Sequence, residues 1–180
     1  MREIDKQVQD YLKASHEMMA RINNHSSEEF HYKSQYDFIL KHGKFYESQE
    51  LKSHEQLIIK KALKRIGFQP KKKQCFYNAQ MIALSDNSGQ IKYCEGFAYS
   101  IAIPMNHAWL DINGKVVDVT WDDNGKPIMG IIPENKSYIG FTLNKTVIRD
   151  KQFRTGMACS FLDDYNDGYQ LFRKPFVPVK

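Results

Sequence analysis

Between residues 2 and 22 the apolar positions Ile4, Val8, Leu12, Met19 and Ile22 recur near a 3.6-residue spacing, which predicts an amphipathic helix ended by Asn23, Asn24 and His25. Ser26, Ser27, Glu28 and Glu29 then offer capping chemistry for a second helix running to about Lys41, before a break at Gly43. A third helix opens at Ser53, His54, Glu55 and Gln56, continues through LIIKKALKRI and stops before Gly67. After a basic, proline-containing loop, QCFYNAQMIALS (74 to 85) reads as a shorter helix with Cys75 at its head.

From Ile91 onward the period changes to two, and Gly, Asn and Pro punctuate short β-branched and aromatic runs. In IKYCEGFAYSIAI (91 to 103) one parity carries Ile91, Tyr93, Phe97, Tyr99, Ile101 and Ile103, and the other Cys94, Gly96, Ala98, Ser100 and Ala102. A strand with one small face predicts that a helix packs closely against that face.

HAWLDINGKVVDVTW (107 to 121) is two strands joined by Asn113-Gly114, the strongest short-range signal for a type I′ hairpin turn. A two-residue loop pairs Ile112 with Lys115, Asp111 with Val116, Leu110 with Val117, Trp109 with Asp118, Ala108 with Val119 and His107 with Thr120. His107, Trp109 and Asp111 then share a face with Asp118 and Thr120, while Ala108, Leu110, Ile112, Val117 and Val119 form the apolar face turned to the core. His107 and Asp118 become diagonal neighbours at roughly 7 Å, a distance their side chains can close to a hydrogen bond.

A carboxylate on an imidazole fixes the tautomer and stabilises the imidazolium, the orienting part of a nucleophile, base and orienter triad. Cys75 supplies the nucleophile if 75 to 84 is a helix, because Cys75, Ala79, Ile82 and Ala83 then lie on the sheet-facing side. At a helix N-terminus the unpaired N–H groups and the positive dipole end favour thiolate over thiol.

Composition changes the picture little. With 42% hydrophobic and 26% charged residues, 180 in all, the chain has the profile of a globular domain able to bury a core. It has no apolar run of the ~20 residues that a membrane helix needs. MREIDKQVQDYLK lacks the apolar core of a secretory signal, so a cytoplasmic location is expected, although an injected or phage-delivered protein has the same profile. The net charge of +5 is spread over lysine groups such as Lys60-Lys61 and Lys71-Lys72-Lys73, which read as solvated surface, with no nucleic-acid reading motif beside them. Lys71 to Lys73 also border Cys75 and would favour an acidic substrate.

Three cysteines without a C-x-x-C pair predict reduced thiols, with Cys94 and Cys159 as small buried apolar residues. A zinc set of Cys75, Cys94 and His107 has scattered spacing, and no metal or other cofactor is expected. His16, His25, His31, His42 and His54 fall in the helical part and receive no role. DDYNDG (163 to 168) lacks calcium-loop spacing and reads as a turn. Trp109 and Trp121 read as hairpin packing residues, with Trp109, on the His107 face, also placed as a substrate-contacting wall.

The order Cys, His, Asp, with QCFYNAQMIAL on a helix, EGFAYS on a strand and then HAWLDINGKVVDVTWDD, resembles the core of the transglutaminase-like (papain-like) cysteine enzymes, from Cys75 to about Phe141. SYIGFTL is similar to the strand that follows in small bacterial and phage members. The first 60 residues carry no such likeness. The resemblance implies Cys75 as nucleophile, His107 as general base and acid, Asp118 as orienter, and a glutamine beside the Cys75 N–H in the oxyanion hole. Gln69 has the papain-like spacing, six residues before Cys75, and Gln74 is also available. The chain departs from the commoner pattern in having Gln74, not glycine, immediately before the cysteine.

The expected fold class is α+β: one domain over 1–180, with a helical part (1–66), a core in which the catalytic helix packs on an antiparallel sheet (67–145), and C-terminal strands or an extension (146–180). The expected activity is cysteine-dependent acyl transfer on an amide bond of a protein or peptide. Hydrolysis is favoured over transfer to an amine, and no membrane or nucleic-acid partner is expected. The competing expectation is a non-catalytic binding module, such as a phage or bacterial inhibitor, that keeps the fold.

Overall fold

The computed structural model describes residues 1–22, 29–100, 102–123 and 126–178. Three helices precede the main sheet: α1 (Glu3–Ile22), α2 (Gln35–His42) and α3 (Ser53–Ile66), with the two-residue strand β1 (Lys44–Phe45) between the last two. α3 ends as its sequence predicts, at Gly67 in the left-handed conformation (φ 71). The loop expected at Asn23 to His25 and the capping residues Ser26 to Glu28 lie outside the described residues.

The second helix begins later than the sequence suggests. Ser34 is its N-cap, its Oγ accepting from the Asp37 N–H at 3.1 Å, and the Asp37 carboxylate accepts from the Lys33 N–H at 2.9 Å. Upstream, the His31 and Tyr32 N–H groups donate to the Phe172 carbonyl at 2.7 and 3.2 Å, so a contact from the far end of the chain removes them from any helix.

α4 (Cys75–Ser85) is followed by β2 (Ile91–Tyr99), β3 (Met105–Ile112), β4 (Lys115–Asp123), β5 (Lys126–Met129) and β6 (Ser137–Leu143). The six strands form one antiparallel sheet in the order β1-β6-β2-β3-β4-β5, so the molecule is α+β as expected. β2 stops at Tyr99; of the rest of the strand expected to 103, Ile101 is outside the described residues. The region after 146 is not strand: α5 (Lys145–Thr155) follows, capped by Asn144, and then two 3-10 turns. That helix buries only Ile148 and Lys151, so it shows almost no apolar stripe in sequence.

Helices cover one face of the sheet. Ala79, Ile82 and Ala83 of α4 are buried with Ile91, Tyr93, Phe97, Ala108, Leu110, Ile112 and Val117 in one core. α4 thus rests on the bulky parity of β2, contrary to the expectation from the small residues. The small parity faces a second cluster in which Cys94 and Ala98 lie with Tyr46, Trp109 and Tyr138. Size decides this: a Cβ on Gly140 of β6 would lie 2.6 Å from Trp109 Cη2, so the small residues make room for three aromatic rings rather than for a helix.

The C-terminal segment is fixed from inside. Glu95 of β2, fully buried, accepts from Tyr93 Oη at 2.6 Å, from Ser160 Oγ, and from the Phe161 and Leu162 N–H groups at 2.9 Å. Burial raises its pKa against those donors. Lys151 and Asp164 form a buried ion pair at 2.8 Å on the same segment.

Candidate active site

Cys75 is the first residue of α4 and half-buried, with the exposed Gln74 as N-cap. The first-turn N–H groups of α4 have no partner within the helix, so the positive end of its dipole lies at Cys75. Lys73, just upstream, adopts a left-handed conformation (φ 64), which turns the basic loop sharply into the helix. Asn78, one turn on and buried, ties that loop down: its Nδ2 donates to the Lys71 carbonyl at 2.7 Å and its Oδ1 accepts from the Lys71 N–H at 3.2 Å. The same Nδ2 donates to Thr120 Oγ1 at 2.9 Å, which attaches the start of α4 to β4.

The hairpin register is as the Asn113-Gly114 turn predicts for Ile112 with Lys115, Asp111 with Val116 and Leu110 with Val117. Both turn residues have positive φ, 54 and 82, as a type I′ turn requires. Beyond Leu110 and Val117 the expected pairs do not form. Asp118 Oδ1 accepts from the Thr120 and Trp121 N–H groups, each at 2.9 Å, and so turns β4 away from β3. The other Asp118 oxygen, Oδ2, accepts from His107 Nε2 at 2.7 Å and from Tyr138 Oη at 2.9 Å.

With Nε2 on Asp118, Nδ1 is the remaining ring nitrogen, and the Cys75 sulfur is near enough to act on the charge of the imidazole. Burial alone would lower the His107 pKa, but the Asp118 carboxylate and the Cys75 sulfur raise it to about 10. Burial likewise works against ionised Asp118, but His107 and the two backbone donors hold its carboxyl below the ordinary value. Burial and the adjacent carboxylate raise the Tyr138 pKa well above the ordinary phenol value, so its hydroxyl remains a donor.

Trp109 is not a cleft wall. It is 1% exposed and lies behind His107, ring centroids 6.3 Å apart, wedged between Tyr46 and Tyr138. Its indole follows the small-residue channel across β2 and β6. The half-exposed ring beside the imidazole is Trp121, at 5.1 Å, with Lys136 Nζ 4.7 Å over its face. The turn made by Asp118 brings Trp121 there, and the unbroken hairpin register does not anticipate it.

Neither glutamine is tied to Cys75 by a hydrogen bond among the described residues. Gln69 is exposed at the edge of a cleft beside α3, and the Gln74 side chain caps nothing in the first turn. Tyr138, Asn78 and Trp121 are the supporting residues that sequence reasoning missed. Only Asn78 carried a signal, as an amide on the apolar first half of a helix, three residues after the cysteine.

Among the described residues no three His, Cys, Asp or Glu side chains converge as a metal site. Cys94 is buried in the second cluster, 3.1 Å from Tyr46 Oη. None of the helices is long and apolar enough to cross a membrane among the described residues. A thiol facing an imidazole whose far nitrogen is held by a carboxylate can pass a proton to the ring and attack a carbonyl carbon. Comparison of the chain with protein-family models, with curated proteins and with solved structures returns no match.

Proposed function

We propose that this protein is a cysteine-dependent acyl-transfer enzyme that acts on an amide bond, with Cys75 as nucleophile, His107 as proton carrier and Asp118 as orienter. The observation that carries this reading is the position of one imidazole: Nε2 is held by Asp118 at 2.7 Å, and Cys75, at the start of α4, is near enough for its sulfur to help raise the His107 pKa. A helix that starts at the thiol and packs on an antiparallel sheet bearing the His and Asp on neighbouring strands supports reading the fold as a transglutaminase-like core.

In the reaction the Cys75 sulfur, paired with protonated His107, adds to the amide carbonyl, and the carbonyl oxygen takes the negative charge. The Cys75 backbone N–H at the start of α4 is a donor for that oxygen. His107 gives its proton to the leaving amine as the C–N bond breaks, leaving a thioester on Cys75. Water then adds to the thioester, His107 takes its proton and returns it to sulfur, and the acid departs. Water is the favoured acceptor; an amine in its place would give a transglutaminase.

The test is iodoacetamide labelling of the intact chain across pH, read peptide by peptide. Cys159, half-buried like Cys75, is the internal comparator. The reading requires Cys75 to label faster than Cys159 well below pH 8 and to lose that advantage in His107→Ala. Equal labelling rates would leave a binding module on this fold as the better account.

A further inference from the structure

A cleft of about 450 Å³ opens between α3, the 67–74 loop and the β4–β5 hairpin. That volume is in the range of roughly 300–1,000 Å³ typical of ligand sites. Leu63, Phe68, Pro70 and Val119 give it apolar walls. Val119 follows Asp118 in the chain, and the loop bearing Phe68 and Pro70 is the one Asn78 fastens to the first turn of α4. The cleft thus shares the 67–74 loop and strand β4 with the candidate centre, although Cys75, His107 and Asp118 are not among the residues that line it. Phe68 is supported from behind by Tyr77, ring centroids 5.3 Å apart, so this wall is built from the same helix turn that carries Cys75.

Two cations stand over these apolar walls. Lys60 and Lys64 of α3 both line the cleft, both are exposed, and neither makes an ion pair among the described residues. Four residues apart, they lie side by side on one helix face and repel each other until an anion arrives. An ammonium pair over an aliphatic and aromatic slot matches a ligand with a carboxylate beside an apolar side chain.

We propose that this cleft is a substrate subsite reached from the candidate centre along the shared loop, and that it takes a peptide segment carrying both acidic and aliphatic side chains. The inference rests on the acyl-transfer reading for the identity of the ligand as a peptide. Leu63, Pro70, Val119 and Pro127 outnumber the one aromatic wall, Phe68, so the cleft offers no run of stacking faces for successive bases and suits a peptide better than a nucleic acid.

The test is fluorescence anisotropy on the full chain bearing Cys75→Ala, so that no probe is consumed. The probes are a fluorescein-labelled Leu-Glu hexapeptide, the Leu-Lys hexapeptide of equal length, and a labelled oligothymidine 20-mer. The acidic peptide is expected to bind at least tenfold more tightly than the basic one, and more weakly as salt rises. The Lys60→Glu/Lys64→Glu double variant should abolish or invert that preference; its thermal midpoint serves as the folding control, and Lys60→Gln/Lys64→Gln gives an intermediate loss.

Equal binding of the two peptides, or a preference that survives charge reversal, overturns the inference. So does oligothymidine binding as tightly as the acidic peptide. Failure of the catalytic reading is seen separately, as Cys75 labelling no faster than Cys159 in the unmutated chain, whatever the peptides do.

Discussion

Tyr138 of β6 and Asp118 of β4 meet although two strands separate them in the sheet: the tyrosine hydroxyl donates to Asp118 Oδ2 at 2.9 Å, on the oxygen that also holds His107. The ring reaches that far because the β2 residues it passes over, including Ala98, are small. Four donors therefore converge on one buried carboxylate: the imidazole, the phenol and two backbone N–H groups. A carboxylate satisfied in this way is fixed in position and remains ionised.

Removing only the phenol oxygen tests that support. Tyr138→Phe should unfold with a loss of about 1 kcal/mol, the usual worth of one net hydrogen bond. It should also lower the Cys75 alkylation rate several-fold near neutrality. Urea titration and labelling kinetics on the same preparation separate the two effects, and an unchanged labelling rate would make Tyr138 a packing residue only.

Asp118→Asn leaves the shape but removes the charge that keeps His107 protonated. The His107 pKa should fall from about 10 toward its ordinary 6.5, and Cys75 labelling and any amide turnover near pH 8 should drop by about 100-fold or more. The imidazole resonances in an NMR titration report the shift directly; an unmoved His107 would mean that Asp118 does not set its charge.

Stability should follow the same pair. The folded His107 pKa lies above 6.5, so its contribution is complete below pH 6.5 and disappears as pH rises through about 10. Asp118, shifted the other way, contributes above its ordinary 3.8 and loses that contribution as pH falls. The thermal midpoint should decline between pH 7 and 10 in the unmutated protein and decline less in Asp118→Asn, measured by scanning calorimetry in matched buffers.

Gly140→Ala places a Cβ 2.6 Å from Trp109 Cη2 and 2.5 Å from the Glu95 carbonyl oxygen. The backbone contact cannot swing aside, so we expect a loss of about 2–3 kcal/mol, typical of an overpacked core. Trp109 should move with it, altering tryptophan fluorescence and slowing Cys75 labelling through the stacked His107.

Lys73 adopts a left-handed backbone conformation two residues before Cys75. A β-branched residue tolerates φ 64 worse than lysine does, so Lys73→Val should destabilise by about 1 kcal/mol, whereas Lys73→Gly should be neutral or slightly stabilising. Denaturation midpoints of the two variants, expected on opposite sides of the parent or with Gly at parity, decide the point.

What the sequence determined by itself is local. The start of α4 at Cys75, the end of α3 at Gly67 and the Asn113-Gly114 turn follow from periodicity, capping and turn chemistry within a few residues. The turn sets the register that carries His107 and Asp118 to adjacent strands. Tertiary structure decided the rest, because it depends on groups far apart in the chain competing for the same space or the same hydrogen bond. Asp118 captures two backbone donors and ends the hairpin ladder, bringing the half-exposed Trp121 against the imidazole in addition to the buried Trp109. Glycine and alanine on β2 and β6 admit aromatic rings on the face where a helix was expected, and Phe172 removes the His31 and Tyr32 donors that would have extended α2. Strand alternation says which residues share a face, but only the volumes of facing side chains decide what covers it.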